Sequence, residues 1–175
     1  MSVLNFAILI CFSCYSLVMK KIFTTTVTNL DDTNLLALKF AQVVKKQGAF
    51  ICLYGDIGAG KTAFTRMVAK NLNVKEKVTS PSFVIINEYL SGELPVYHFD
   101  LYRLEKEGVR TIIDELTEYS RPNVLTCVEW AEFSDFELPF SRIEIRIKYI
   151  DENQREFEFS ADGDEYIKLL KGLKN

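Results

Sequence analysis

One histidine and four cysteines in 175 residues leave little material for metal or thiol chemistry. Cys11 and Cys14 have the spacing of a redox pair or of half a zinc site, yet no second pair and no nearby histidine completes either. Cys52 and Cys127 lie inside apolar, strand-like runs, where a free cysteine acts as a small hydrophobe. Positive charge is short as well: 21 Lys and Arg against 24 Asp and Glu give −3, so no global basic field supports tight autonomous binding to nucleic acid. Any RNA role is expected to run through a partner. Repeats, low-complexity tracts, charge blocks and linkers are missing too, which leaves one domain long enough to bury a core. No Asn-Lys-x-Asp guanine-reading motif occurs, which disfavours a GTP-dependent switch.

Charged side chains are absent from residues 1–18, and Met19-Lys20-Lys21 follow at once. The segment resembles a membrane or secretion sequence, but it lacks a cationic start and a convincing small-residue cleavage site, and its apolar run is short for a bilayer span. The expectation is an upstream extension of the reading frame over 1–18, with Met19 as the start and one domain over 19–175. A membrane anchor with Lys20 and Lys21 on the cytoplasmic side is the alternative. No membrane contact is expected of 19–175.

What the chain does have is Gly55-Asp56-Ile57-Gly58-Ala59-Gly60-Lys61-Thr62, the G-x-x-x-x-G-K-[ST] phosphate-binding pattern. An apolar run, 49–54, precedes it and an apolar stripe at helical spacing, 63–72, follows, so the motif sits in the strand-loop-helix context it requires. The glycines let successive N–H groups turn onto phosphate oxygens at a helix N-terminus, where Ala63 continues the first turn. Lys61 would reach the β- and γ-phosphates, and the Thr62 hydroxyl would ligate Mg²⁺. The pattern implies an α/β, P-loop NTPase-like three-layer fold with a mixed, largely parallel central sheet and added antiparallel strands.

Around that centre, caps in 31–34 and an apolar stripe from Leu35 to Val44 predict one helix before the first core strand, closed by Gly48. A turn-prone stretch, 78–83, leads to strands over 84–90 and 95–103 that read as a hairpin. Residues 105–120 are helical in composition but interrupted by Gly108. A second apolar run, 124–128, ends directly on Glu129, the place of a Walker B carboxylate facing the phosphate loop. Alternation over 142–150 and 156–159 predicts two half-exposed antiparallel strands, and a helix over about 163–173 closes the chain.

Phosphoryl transfer needs a cradle, magnesium ligation and a group that senses the γ-phosphate or orients water. Thr79, Ser80 and Ser82 offer hydroxyls in a loop able to close over the phosphate, although such a stretch is also an ordinary turn. Asp100 and Glu129 are strand-end carboxylates for magnesium or water. His98 reads as a packed, hydrogen-bonded residue rather than a base. Arg103 reads equally as a phosphate ligand, a partner contact or a surface ion pair. Trp130 follows Glu129 on the opposite face of an extended chain, so packing is its default role.

The phosphate loop, Thr79-Ser-Pro-Ser-Phe83, His98-Phe-Asp-Leu-Tyr-Arg103 and Glu129-Trp130, in this order, resemble the bacterial TsaE proteins over about 19–150. The resemblance implies a cytoplasmic ATPase that binds TsaB and TsaD and sustains threonylcarbamoyl transfer to an adenosine of the tRNA anticodon loop, touching tRNA only indirectly. It places the family's phosphate-loop Lys and Thr on Lys61 and Thr62, its switch threonine on Thr79, its aspartate on Asp100 and its Walker B glutamate on Glu129. ATP and Mg²⁺ are the implied cofactors. Ser82 stands where the family commonly has Thr, which keeps the hydroxyl; residues 1–18 have no counterpart. The competing readings are a small-molecule kinase of the shikimate-kinase type, which would need an acceptor pocket and an Arg-bearing lid, and a non-catalytic nucleotide-binding module.

Overall fold

A computed structural model describes residues 19–105, 108, 112–134 and 138–174; the segment 1–18, with Cys11 and Cys14, lies outside the described residues. In chain order the elements are β1 (Lys20–Val27), α1 (Leu30–Val44), β2 (Ala49–Tyr54), α2 (Lys61–Asn71), β3 (Ile86–Tyr89), β4 (Val96–Asp100), α3 (Ile113–Glu118), β5 (Leu125–Glu129), β6 (Ile143–Tyr149), β7 (Arg155–Ala161) and α4 (Asp164–Lys174). Short 3₁₀ turns cover Tyr102–Glu105 and Ala131–Phe133.

The continuous apolar runs become strands buried on both faces, as parallel strands between helical layers must be. One sheet of seven strands results, in the order β1-β7-β6-β2-β5-β4-β3. The four central strands, β6, β2, β5 and β4, run parallel, while β7 with β1 on one side and β3 on the other are antiparallel additions. Helices α1, α2 and α4 cover one face; α3 and the two 3₁₀ turns cover the other. This is the expected three-layer α/β fold. The larger core is built on aromatics: the Phe64 ring of α2 lies 5.8 Å from Phe40 of α1 and 5.2 Å from Phe157 of β7.

Several local expectations change. Strand β1 was not legible, because its Thr-rich alternation acquires a partner only from β7, more than a hundred residues downstream. Helix α1 begins earlier than 31–34: Asn29 is the N-cap, its side-chain oxygen accepting from Asp32 N–H at 2.8 Å. Its buried stripe is Thr33, Ala37, Phe40, Ala41 and Val44, with Leu35 exposed. Strand β3 is shorter than 84–90, since Val84 and Ile85 turn back onto the Pro81 carbonyl at 2.9 and 2.7 Å and Ile85 takes φ 69°. Strand β4 stops at Asp100, where the chain coils into the 3₁₀ turn instead of continuing to Arg103. The helical stretch over 105–120 contracts to α3 among the described residues.

Strands β6 and β7 pair with each other and are half-exposed, as expected: Ile145, Ile147, Phe157 and Phe159 are buried, while Arg146, Lys148 and Tyr149 are exposed. β6 also pairs with β2, so it lies inside the sheet. That places Glu144 in the interior, where Arg142 at 2.9 Å and Arg146 at 3.1 Å neutralise it.

Candidate functional site

Strand β2 delivers the chain into the glycine loop, and the loop into α2. At Gly55, φ is 140° and a Cβ would strike the Ile147 carbonyl of β6, so only glycine lets the loop pack this close to the sheet. Gly60, at φ 116°, caps α2 without a side chain, which leaves the helix-start N–H groups clear for an anion.

Lys61 and Thr62 open α2. The Lys61 ammonium is nearly enclosed, donates to the Gly55 carbonyl and, at 3.1 Å, to the Asp56 carbonyl, and lies 3.7 Å from the centroid of the Trp130 ring. Burial holds its pKa below the ordinary lysine value, with the Glu129 charge opposing that shift. The Thr62 hydroxyl donates to Glu129 Oε2 at 2.9 Å. The other carboxylate oxygen, Oε1, lies 2.7 Å from His98 Nε2.

Strands β4 and β5 set the acids side by side, since Asp100 and Glu129 are partners in the parallel register. Both are almost fully buried. Asp100 Oδ2 accepts from the Ser80 hydroxyl at 2.6 Å and Oδ1 accepts from Tyr102 N–H at 3.1 Å. A cavity of about 490 Å³ opens over these groups, lined by residues 56–58 and 60–63 of the loop and helix together with Ser80, Ser82, Asp100, Tyr102, Glu129 and Trp130. The fold thus unites Lys61, Thr62, Asp100 and Glu129 across nearly seventy residues of sequence.

The oxygen donors at the cavity floor, Thr62 Oγ1 and Glu129 Oε2, suit a hard divalent cation of the Mg²⁺ type. Among the described residues no group of three His, Cys, Asp or Glu side chains forms a closed metal cage.

Thr79 is not on the cavity wall. Its side chain is exposed, and its backbone N–H and carbonyl are held by the Tyr89 hydroxyl at 3.1 and 3.2 Å. Ser80 and Ser82 of the same loop face the cavity instead. Arg103 lies with its guanidinium 4.3 Å from the centroid of the Phe83 ring. Of the other loop positions, Gly55 and Ala59 support the cradle from behind while Ile57 projects into solvent.

Trp130 packs as expected, against the Tyr102 and Phe133 rings at 5.0 and 5.9 Å, but it does so on the side of the site and not on the opposite face. It takes φ 60°, which breaks strand alternation directly after Glu129 and brings the ring over Lys61. A second cavity of about 590 Å³ lies on the other side of the loop, sharing Gly58, Gly60 and Ala63 and walled by Asn29, Asp31, Arg155 and Phe157. Arg155 donates to the Ala59 carbonyl at 3.2 Å, tying β7 to the loop. No local motif marks this wall; only the pairing of β1 with β7 brings it to the loop. Cys127 lies beneath the site with its thiol pKa pushed up by burial, as an inert core residue. Among the described residues no helix is long and apolar enough to cross a membrane.

Comparison with known proteins agrees with this geometry. A family profile described as "Threonylcarbamoyl adenosine biosynthesis protein TsaE" matches residues 27–157. A Bacillus subtilis protein named tRNA threonylcarbamoyladenosine biosynthesis protein TsaE is 39% identical over 145 residues, covering 83% of this chain and 89% of its own. An Aquifex aeolicus protein of the same name is 37% identical over 127 residues, covering 71% of this chain and 86% of its own. The crystal structure of Bacillus subtilis YdiB superposes with a TM-score of 0.74 at 34% identity, covering 90% of this chain and 96% of that one. With the phosphate loop, the paired strand-end carboxylates and the sheet order all in place, the chain belongs to the TsaE family.

Proposed function

We propose that this protein binds ATP with Mg²⁺ and hydrolyses it slowly by itself, and that this cycle serves tRNA threonylcarbamoyladenosine biosynthesis together with TsaB and TsaD. The observation that carries the reading is the Thr62 hydroxyl bonded at 2.9 Å to the Glu129 carboxylate at the head of α2, directly under the glycine loop. In this reading Lys61 would turn from the loop carbonyls to the phosphates, and Thr62 and Glu129 Oε2 would hold the ion. Bound there, Mg²⁺ would neutralise charge developing on the transferring phosphoryl group. Asp100, steadied by Ser80, orients the attacking water. The loop carrying Thr79 senses the γ-phosphate, with Thr79 entering as the loop closes. The second cavity, which shares Gly58, Gly60 and Ala63 with the first, offers Asn29 and Arg155 as residues that would hold the nucleoside part of the nucleotide.

In this reading the protein works in the cytoplasm, where tRNA and nucleotide are found, and residues 19–175 carry the activity. Slow turnover alone fits a phosphate-loop protein whose catalytic electrostatics a partner completes. The test is ATP hydrolysis by a Met19-started protein with and without TsaB and TsaD from the same organism, with Lys61→Ala as control. Partner-dependent, Lys61-dependent turnover is expected. Absence of both complex formation and stimulation would reject the reading and return the kinase alternative to a substrate screen.

A further inference from the structure

His98 is the chain's single histidine and is fully buried, between the sheet and α2, out of reach of any ligand in the cavity. Its Nε2 lies 2.7 Å from Glu129 Oε1; a carboxylate oxygen only accepts, so Nε2 carries the hydrogen. Its Nδ1 is buried and has no hydrogen-bond partner among the described residues. A buried ring with one polar atom unsatisfied is a poor choice for packing alone, because phenylalanine would fill the space without that cost. The return on the imidazole lies in its one bond, to Glu129.

We propose that His98 is a positioning residue: it holds Oε1 of Glu129 inside the protein, so that the carboxylate offers only Oε2, beside Thr62, to the bound ion. The inference rests on the ATPase reading and goes beyond it by giving a role to a residue that touches neither nucleotide nor metal. Three observations meet here. The parallel register of β4 and β5 puts His98 opposite Cys127 and Asp100 opposite Glu129, so the imidazole reaches forward along its own strand direction toward the acid. Glu129 has both oxygens engaged, one by His98 and one by Thr62, which fixes the plane of the carboxylate. A carboxylate fixed in this way binds a small, geometrically demanding cation without first losing rotational freedom.

The test compares His98→Phe, which keeps ring volume and removes the donor, with His98→Gln, whose amide N–H reaches a similar point. Calorimetry with a non-hydrolysable ATP analogue across a Mg²⁺ series gives the readout, beside thermal melting. For His98→Phe the Mg²⁺ concentration that half-enhances analogue binding should rise about 10- to 100-fold, as when the hydrogen-bond support of a ligating group is removed. Mg²⁺-free affinity should stay within about twofold, and His98→Gln should recover most of the loss. Wild-type Mg²⁺ dependence in folded His98→Phe would overturn the proposal, as would equal defects in both variants that track a lowered melting point. If wild-type protein binds the analogue but shows no Mg²⁺ dependence, the ATPase reading fails together with this role. Mg²⁺ dependence in wild type and unchanged in the variants sinks the positioning role alone.

Discussion

Replacing Lys61 with methionine separates what the site costs the fold from what it gives the ligand. The ammonium is buried, and its direct contacts among the described residues are the Gly55 and Asp56 carbonyls and the Trp130 face. Hydrogen bonds from a charged donor contribute about 1.5–3 kcal/mol each and the aromatic contact about 0.5–2 kcal/mol. Desolvating the charge costs several kcal/mol, about the same sum, and the lowered lysine pKa is the sign of that opposition. Lys61→Met should therefore change stability by no more than about 1 kcal/mol in urea unfolding without nucleotide. In the complex the ammonium gains phosphate oxygens, and removing one partner of such a buried charge pair costs about 2–5 kcal/mol. That corresponds to a loss of ATP affinity between about 30-fold and several thousand-fold in calorimetry. A stability loss above about 3 kcal/mol, or ATP affinity within about threefold of wild type, would refute the reasoning.

Glu129→Gln should keep the fold, because an amide can still accept from His98 and donate to the Thr62 oxygen, while turnover is lost with the charge. Glu129→Ala should additionally cost about 1–3 kcal/mol by stranding a buried donor, so urea unfolding must rank the two variants in that order. Phe64→Ala, which empties the space between Phe40 and Phe157, should destabilise the protein by about 3–5 kcal/mol; an unfolding free energy within about 1 kcal/mol of wild type would contradict the packing described. The exposed Glu76 carboxylate accepts from the Ser91 hydroxyl and from Leu90 and Ser91 N–H, which holds its pKa at about 2 against an ordinary 4.5. Because the folded-state pKa is depressed, its contribution is complete above pH 4.5 and is lost as pH falls through about 2. The melting temperature of Glu76→Gln should accordingly depend less on pH in that window, and an unchanged slope would exclude the linkage.

The phosphate loop, Lys61, Thr62 and the buried strands β2 and β5 could be read from the sequence because their signals are local. Glycine spacing, an unbroken apolar run and the helix that follows all lie within about twenty-five residues. Glu129 was legible for the same reason, since β5 ends on it. The packing role of Trp130 was legible but its side was not, because the alternation rule holds only while the chain stays extended, and one left-handed residue suffices to bring the ring into the site.

Tertiary structure alone decided the rest. The His98–Glu129–Thr62 chain of hydrogen bonds joins three elements that no spacing rule relates, and it exists because β4, β5 and α2 converge. The choice of Ser80 over Thr79 at the cavity wall depends on how Ile85 turns the loop back onto Pro81. Strand β1 and the second cavity follow from the pairing of β1 with β7, and the interior place of β6 from its pairing with both β2 and β7, between segments whose own sequences are compatible with an edge or a surface. Periodicity reports which face of a segment is apolar; which partner covers that face is settled only when the whole sheet forms.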